Sequence, residues 1–425
     1  MLKLPLAGVI PALNAALRTG TLATRFALVF VLAKFLDAGM LGQYGLFTAA
    51  IGYALLCFGL DLYVYTSREL VRTNPSRQGS LLRNQIAITF LLYLASTPIS
   101  YLILQRTGLP TFLVYWFLPI LILEHLNQEL FRLLIIKSRQ ITASFLLFLR
   151  QGSWAIAVTI AMSLNENARN LYFVMAAWAV AGIFAAIVGM SVVRRMKLGG
   201  WHSPVDWRWI RKGIAVSGAF LLATLSVRAI QTVDRFWLQD LAGIDIVGAY
   251  VLFFGVASAL GVFLDAAIFS FRYPQLIAMH SNGQSNALHL TTRAMGAATI
   301  LTILAFAVAS CAALPLLLKW IGKDVFLEHI QLYYWILAAT AAYSLAMVPH
   351  YALYAMGHDR PIIASHVTGL SVFVVATLVL STIYRTYAVP IGVLIAMTVV
   401  LLWKGAAYLK VLKDGFASDP RTPLS

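Results

Sequence analysis

The feature that most constrains this chain is a succession of apolar segments, each long enough to cross a bilayer, that continues from one end to the other. A helix of about 20 apolar residues spans the hydrocarbon core of a membrane. Lipid offers no hydrogen-bond partner to backbone groups, so such segments are expected to be helical. The fold class we predict is an all-α polytopic membrane protein with about 12 transmembrane helices. The predicted spans are 11–36, 41–66, 83–104, 111–136, 141–164, 170–193, 213–239, 246–271, 288–318, 328–356, 362–384 and 388–412.

The charge balance predicts the orientation of the chain. Only 11% of the 425 residues are charged and 60% are hydrophobic, which excludes a soluble globular protein. Lys and Arg number 32 against 16 for Asp and Glu, and in membrane proteins basic residues accumulate in cytoplasmic connections. We assign to that side the connections 66–83 and 194–212 and the C-terminal residues Lys404, Lys410 and Lys413. Both termini are therefore expected in the cytoplasm, and the basic excess requires no nucleic-acid partner.

Three short patterns occur twice in the same order, about 205 to 210 residues apart. They are R-x6-R-F at Arg18 and Arg228, G-x-Y-x-L-F at Gly42 and Gly248, and L-D at Asp61 and Asp265. Such short patterns also recur by chance in apolar helices, but three in one order favour duplication. We predict two pseudo-symmetric six-helix lobes, 1–193 and 213–412, a cytoplasmic linker 194–212 and a cytoplasmic tail 413–425. Transporters commonly hold their substrate between such lobes.

Arginines within the predicted spans indicate a binding site, because a charge at bilayer depth costs at least about 2.5–3.5 kcal/mol. The two arginines of each R-x6-R pattern lie seven residues apart and so share a helix face. With a further arginine in the fifth span, they predict a cationic cavity for a phosphate or pyrophosphate. The candidate substrate-binding residues are Arg18, Arg25, Arg150, Arg228 and Arg235. Alternatively, Arg18 snorkels to the interface and Arg235 pairs with Asp234.

Acidic residues and a histidine in the spans are candidate coupling groups, since a buried carboxylate can load and release a proton. His125, Glu129 and Arg132 share one face of the fourth span. The candidate ion-coupling residues are His125, Glu129, Glu124, Asp61 and Asp265, and the coupling ion is H⁺ or Na⁺. The alternatives are an ion pair between Glu129 and Arg132, and simple solvation of Asp61 and Asp265 at the ends of their spans.

The first two spans carry a longer pattern. An arginine-bearing helix is followed by the short turn 36–41, the sequence Gly42-Gln43-Tyr44-Gly45-Leu46-Phe47 and a second helix that ends Gly59-Leu60-Asp61. This pattern resembles the N-terminal signature of the polysaccharide flippases, the O-antigen and exopolysaccharide translocases of the multidrug/oligosaccharidyl-lipid/polysaccharide exporter superfamily. The close likeness covers these two helices, and the twelve-span plan agrees along the chain. Lipid II flippases usually have two further helices.

The resemblance implies a flippase that moves an undecaprenyl-pyrophosphate-linked oligosaccharide to the outer leaflet of a bacterial inner membrane by alternating access. The five arginines would then engage the pyrophosphate, and the partners would be the lipid-linked oligosaccharide, membrane lipid and the polysaccharide polymerase machinery. We expect no catalytic residue, metal or organic cofactor, because no phosphate-loop or metal-ligand spacing is present. A cation-coupled exporter of drugs or metabolites and a membrane glycosyltransferase or polymerase are the alternatives.

Overall fold

In a computed structural model of the protein, residues 6–417 are described and all their regular elements are helical. The helices of the first half are α1 (Leu6–Phe35), α2 (Ala38–Gly59), α3 (Leu62–Arg72), α4 (Pro75–Gln105), α5 (Thr111–Ile136), α6 (Gln140–Leu147), α7 (Trp154–Leu164) and α8 (Leu171–Arg195). Those of the second half are α9 (Trp207–Ala242), α10 (Ile244–Leu264), α11 (Ser270–Ser281), α12 (Ser285–Ile321), α13 (Asp324–Glu328), α14 (Gln331–Ala355), α15 (Asp359–Ser381) and α16 (Ala388–Ala417).

Two π-helical turns join helices into longer runs. Phe148–Ser153 connects α6 to α7, and Asp265–Phe269 connects α10 to α11. A π-turn inserts a residue into a helix without ending it, and such turns are frequent at functional sites. Each of these two runs is therefore one candidate membrane span.

Ten helical runs in the described residues are long and apolar enough to cross a membrane, and α9 makes an eleventh when its two bent parts are taken as one span. The 26-residue α5 is not among them and corresponds to the remaining predicted span. All twelve predicted spans thus overlap helices or helical runs. The protein is a multi-pass, all-α membrane protein, as the apolar pattern predicted.

The predicted span 41–66 ends earlier than expected. Leu60 and Asp61 both have left-handed backbone conformations, with φ of 50° and 48°, and α2 stops at Gly59. Non-glycine residues adopt this conformation at an energetic cost, so two in succession form a firm break. The helix α3 that follows buries Leu62 and Leu70 on one side. In the second half the chain continues through its π-turn, so Asp265 does not end its span as predicted.

The chain divides into two compact units, Met1–Leu221 and Leu222–Ser425. The predicted linker 194–212 belongs to the first of these, because its backbone is bound to the start of α4. The amide of Gly79 donates to the carbonyl of Gly199 at 2.7 Å, and the amide of Gly199 donates to the carbonyl of Pro75 at 3.0 Å. The amide of Asp206 also donates to the side chain of Asn84. Residues 418–425 of the predicted tail lie outside the described residues.

Each unit packs its own copy of the G-x-Y-x-L-F pattern in the same way. In the first unit the ring of Phe47 lies 6.1 Å from that of Phe117 on α5. In the second unit the equivalent Phe253 lies 6.1 Å from Tyr333 on α14. Since α5 and α14 are the fourth spans of their halves, this shared contact supports the internal repeat. The final aromatic residue of the pattern is therefore a core residue in both units.

Candidate functional site

Arg150, predicted to line a cationic cavity, forms a buried ion pair in the first unit. Its Nε lies 2.8 Å from Oε2 of Glu124, and a terminal nitrogen lies 2.5 Å from the same oxygen. The other carboxylate oxygen accepts a hydrogen bond from the indole of Trp178 at 2.8 Å. Arg150 is 6% exposed and Glu124 is 5% exposed. The guanidinium charge is therefore neutralised within the unit.

The π-turn explains how Arg150 reaches Glu124 from the middle of a span. Gly152 lies in the same turn, and a Cβ atom on it would stand 2.7 Å from the ring of Phe148 and 3.3 Å from the hydroxyl of Thr24. Only a glycine therefore allows this turn to approach α1 so closely. The π-turn thus packs against α1 and α8, and Arg150 reaches from it to Glu124 on α5.

The two arginines of the first R-x6-R pattern lie on α1 and are exposed. Nε of Arg18 donates to the hydroxyl of Ser144 at 3.0 Å, and Arg25 donates to the side-chain oxygen of Gln151 at 3.1 Å. Both partners are neutral, and among the described residues neither arginine forms an ion pair. These two positive charges are therefore oriented by hydrogen bonds without being cancelled.

The second R-x6-R pattern lies on α9 and has a comparable arrangement. Arg228 donates to the side-chain oxygen of Gln231 at 3.1 Å, and Arg235 donates to the backbone oxygen of the same residue at 2.9 Å. The guanidinium of Arg235 also lies 4.7 Å from the ring centre of Phe254, and its Nε is buried without a hydrogen-bond partner in the described residues. A buried guanidinium donor without a partner is a vacant position for an acceptor.

Asp234 does not pair with the side chain of Arg235, which was the alternative raised by their adjacency. One carboxylate oxygen accepts the backbone N–H of Arg235 at 2.7 Å, and the other accepts the hydroxyl of Tyr250, also at 2.7 Å. Asp234 is 1% exposed and lines a cavity of about 160 Å³ within the second unit. In the first unit the residue before Arg25 is Thr24, so this buried carboxylate distinguishes the two halves.

The other polar face of α5 gathers His125, Glu129 and Arg132, as their spacing predicted. The hydroxyl of Tyr93 lies 3.1 Å from Nδ1 of His125. Glu129 accepts from Gln85 at 2.7 Å and pairs with Arg132 at 2.5 Å. The Glu129–Arg132 ion pair is the alternative that the sequence left open, and Glu124 faces away from this group toward α8.

A groove of about 620 Å³ opens beside this face of α5 and belongs entirely to the first unit. His125, Glu129 and Arg132 are among its lining residues, and its walls are largely apolar. Phe90 and Leu94 on α4 are both 65% exposed along it. The groove is therefore largely apolar, with the Glu129–Arg132 ion pair in its lining.

The two remaining coupling candidates lie at helix junctions. Asp61 stands in the break between α2 and α3 and caps no backbone group with its side chain. Burial raises the pKa of Asp61, and the guanidinium of Arg132 opposes that shift. Asp265 begins a π-turn and is exposed. Neither carboxylate forms an ion pair with any described residue.

One buried cluster was missed by the sequence reasoning. Lys404, which we had assigned to the cytoplasmic tail, lies in the middle of α16 and is fully buried. Its Nζ lies 2.8 Å from Nε2 of His366 and 3.2 Å from Nδ1 of His350. The sequence signal available was a basic residue in each of the last three spans. Lys404 is 38 residues from His366 and 54 from His350, so helical periodicity could not show that they meet.

No protein-family model matches the chain, and no curated protein matches its sequence. Solved structures nevertheless share its fold. An inward-facing multidrug resistance MATE family transporter of the MOP superfamily aligns with a TM-score of 0.75 at 12% identity, over 92% of this chain and 95% of that transporter. Lipid II flippase MurJ in an inward closed conformation aligns with a TM-score of 0.71 at 11% identity, over 96% of this chain and 91% of MurJ.

A point mutant of the Vibrio cholerae MATE transporter VcmN aligns with a TM-score of 0.58 at 14% identity, over 95% of this chain and 98% of VcmN. The protein thus has the fold of MATE transporters and of MurJ along nearly its whole length. Because one fold can serve several cargoes, the substrate must be argued from the site.

Proposed function

We propose that this protein is a flippase that moves an undecaprenyl-pyrophosphate-linked oligosaccharide across a bacterial inner membrane. The fold is compatible, since one of its structural neighbours is a lipid II flippase. In this proposal both termini lie in the cytoplasm, and the glycan is handed on to the polysaccharide polymerase machinery after translocation. The polyprenyl chain stays in membrane lipid while the charged headgroup crosses.

The observation that carries the proposal is the state of the four arginines in the R-x6-R patterns. Arg18, Arg25, Arg228 and Arg235 hydrogen-bond to neutral partners, whereas Arg132, Arg150 and Arg169 are in ion pairs. A charge at this depth is costly unless something compensates it. A pyrophosphate supplies that compensation, and guanidinium groups bind it through paired hydrogen bonds. We therefore assign headgroup binding to these four arginines.

Arg150 has a different role in this proposal. Since Glu124 already neutralises it, Arg150 positions the π-turn and with it Gln151, the partner of Arg25. The fifth predicted substrate-binding residue is thus proposed as a positioning residue for Arg25.

The test is binding and export by charge-removal variants. Arg18→Ala with Arg25→Ala, and Arg228→Ala with Arg235→Ala, are each expected to weaken binding of undecaprenyl pyrophosphate to the purified protein by about tenfold or more, as hydrogen bonds to charged groups contribute about 1.5–3 kcal/mol each. Surface polysaccharide should be lost in cells that depend on the variant. The matched control is Arg106→Ala with Arg385→Ala, which removes two exposed arginines outside the spans. Unchanged binding in both pattern variants would contradict the assignment.

A second candidate function is export of an organic cation. The buried carboxylate of Asp234 in an aromatic-lined cavity favours it, as does the likeness to multidrug MATE transporters. A proteoliposome assay distinguishes the two, because a cation exporter would transport ethidium and lose that activity on Asp234→Asn. The flippase proposed here would leave ethidium in place.

Net transport in either case requires a source of free energy. A cargo that binds the inward-facing and outward-facing states equally well does not shift the equilibrium between them. We propose coupling to H⁺ or Na⁺. Among the five predicted coupling residues, Glu124 and Glu129 are held in ion pairs and Asp265 is exposed. His125, hydrogen-bonded to Tyr93 beside the groove, keeps a coupling role in this proposal, and Asp61 is the remaining carboxylate candidate.

A further inference from the structure

We propose that Lys404, His350 and His366 of the second unit form a binding site for one exchangeable proton, called here the Lys404 cluster. The three residues lie on α16, α14 and α15 respectively. Nζ of Lys404 is 2.8 Å from His366 and 3.2 Å from His350, and the two imidazole rings stack with centroids 6.0 Å apart at 13°. Three nitrogen bases thus meet at one buried point.

The Lys404 cluster has no counter-charge. Lys404 is 0% exposed, and no carboxylate of a described residue lies within 4.0 Å of it. Burying a cation without a paired anion is unfavourable, and each further positive charge beside it is more so. The cluster therefore accommodates at most one added proton, which the three bases share.

The hydrogen-bond geometry leaves a position for that exchange. A lysine ammonium is only a donor, so the ring nitrogens facing it accept while it carries the proton. Nδ1 of His366, on the far side of the ring, then carries the hydrogen of the imidazole and interacts with the backbone of Ala223 on α9. That N–H bond is the point from which a proton can leave when Lys404 passes its own proton to Nε2.

The elements packed around the Lys404 cluster present no competing charge in contact with it. On α14 the ring of Tyr351 packs edge-on against His350, with centroids 5.5 Å apart. On α16 Tyr408, one turn beyond Lys404, is held by His289 of α12 at 3.1 Å.

The charged residues of the neighbouring helices face elsewhere. On α9 Asp234 accepts from Tyr250, and on α15 Asp359 and Arg360 lie at the start of the helix, about two turns before His366. Two further charges act on tyrosines of α14, Asp265 on Tyr351 and Arg228 on Tyr343, but neither forms an ion pair with the Lys404 cluster.

The proton step needs no co-reactant. An N–H bond of Lys404 breaks as one forms at Nε2 of His366, and the N–H bond at Nδ1 of that ring breaks as its proton forms an O–H bond on a water molecule. Lys404 then takes a proton from a hydronium ion, whose O–H bond breaks as the new N–H bond forms. His350 and His366 lie about one and two helical turns from the connection between α14 and α15, so the path to water is short.

The first test measures the protons and is independent of any cargo. Histidine ¹⁵N shifts are followed against pH in the full-length protein in nanodiscs, with His350→Asn and His366→Asn used for assignment. The two histidines should titrate as one coupled pair. Lys404→Met should then displace both curves by at least one pH unit, equivalent to a tenfold change in proton affinity, while Lys410→Met on the exposed side of α16 should leave them unchanged. Independent curves that ignore Lys404→Met would overturn the proposal.

The second test asks whether this proton drives transport, and it rests on the flippase proposal. Proteoliposomes translocate a fluorescent undecaprenyl-pyrophosphate disaccharide with and without a pH gradient. We expect a gradient to accelerate the wild type at least fivefold, and Lys404→Met and Lys404→Arg to keep only the gradient-free rate, since arginine does not release its proton. A full gradient response in both variants would refute the coupling role. A wild type that moves no lipid would contradict the flippase proposal, while the histidine titration still decides the proton site.

Discussion

Glu124 and Arg150 form an ion pair inside the first unit, in which two guanidinium nitrogens contact one carboxylate oxygen. Both side chains are less than one tenth exposed. The pair joins α5 to the π-turn between α6 and α7. The indole N–H of Trp178 on α8 donates a hydrogen bond to the other oxygen of the carboxylate. An arginine that the sequence places in the middle of a membrane span is therefore stabilised by a partner 26 residues away. This relationship separates Arg150 from the four arginines that remain without an anion.

The Glu124–Arg150 pair gives the first prediction. Glu124→Ala should lower the free energy of unfolding by about 3–5 kcal/mol, because it leaves a buried guanidinium without its anion. Adding Arg150→Met should recover most of that loss. Thermal denaturation of the purified variants measures both effects, with exposed Asp240→Ala as the control. If the double variant is as unstable as the single one, the unpaired charge is not the cause.

The second prediction neutralises Arg25 or Arg228 by a neighbouring carboxylate and leaves the arginine in place. Gln151→Glu and Gln231→Glu each introduce a carboxylate beside Arg25 or Arg228, so each should reduce undecaprenyl pyrophosphate affinity about tenfold. The chain offers a matched control in Gln275→Glu, since Gln275 accepts from Arg272 in another exposed arginine–glutamine pair. Binding assays on the three purified variants test this. Equal losses in all three would indicate a general effect of charge.

The backbone contact between the start of α4 and the segment after α8 gives the third prediction. A Cβ atom on Gly79 would lie 2.5 Å from the carbonyl oxygen of Gly199, so Gly79→Ala should destabilise the first unit by about 1–3 kcal/mol. Gly52→Ala on α2 meets nothing within 4 Å and should be neutral or slightly stabilising. The melting temperatures of the two variants should therefore move apart, and equal shifts would contradict the packing argument.

The hydrogen bond between Tyr250 and Asp234 gives the fourth prediction. Tyr250→Phe removes a donor from a buried carboxylate and should cost about 1–3 kcal/mol of stability. In combination with Asp234→Asn, the effects should be strongly non-additive because the two residues are in contact. A double-mutant cycle by thermal denaturation measures the coupling, with exposed Tyr384→Phe as the control. Additive effects would mean that the bond contributes little.

The span count was predictable because hydropathy sums along the chain and needs no tertiary information. The positions at which the helices break could not be predicted from the sequence. The left-handed pair Leu60 and Asp61 is not a glycine turn, and the π-turn at Asp265 has no sequence signature that we recognised. Both depend on the packing of neighbouring helices, which compensates the local cost.

The candidate site was partly predictable, because some of its features depend on spacing within one helix. The R-x6-R pattern located four arginines and their shared faces, since helical periodicity connects residues seven apart. It did not reveal that Arg150 is paired with Glu124, or that Lys404 is a buried residue and not part of a basic tail. Both assignments depend on residues of other helices.

By itself, the sequence determined that this chain is an all-helical membrane protein with an internal repeat and more arginines in its spans than a bilayer tolerates without compensation. Only the tertiary structure decided which of those charges are already compensated. The physical reason is that burial and pairing are set between helices, where the partners of Arg150 and Lys404 lie 26 to 54 residues away in the chain. Hydropathy and periodicity act within one helix and carry no information about those distances.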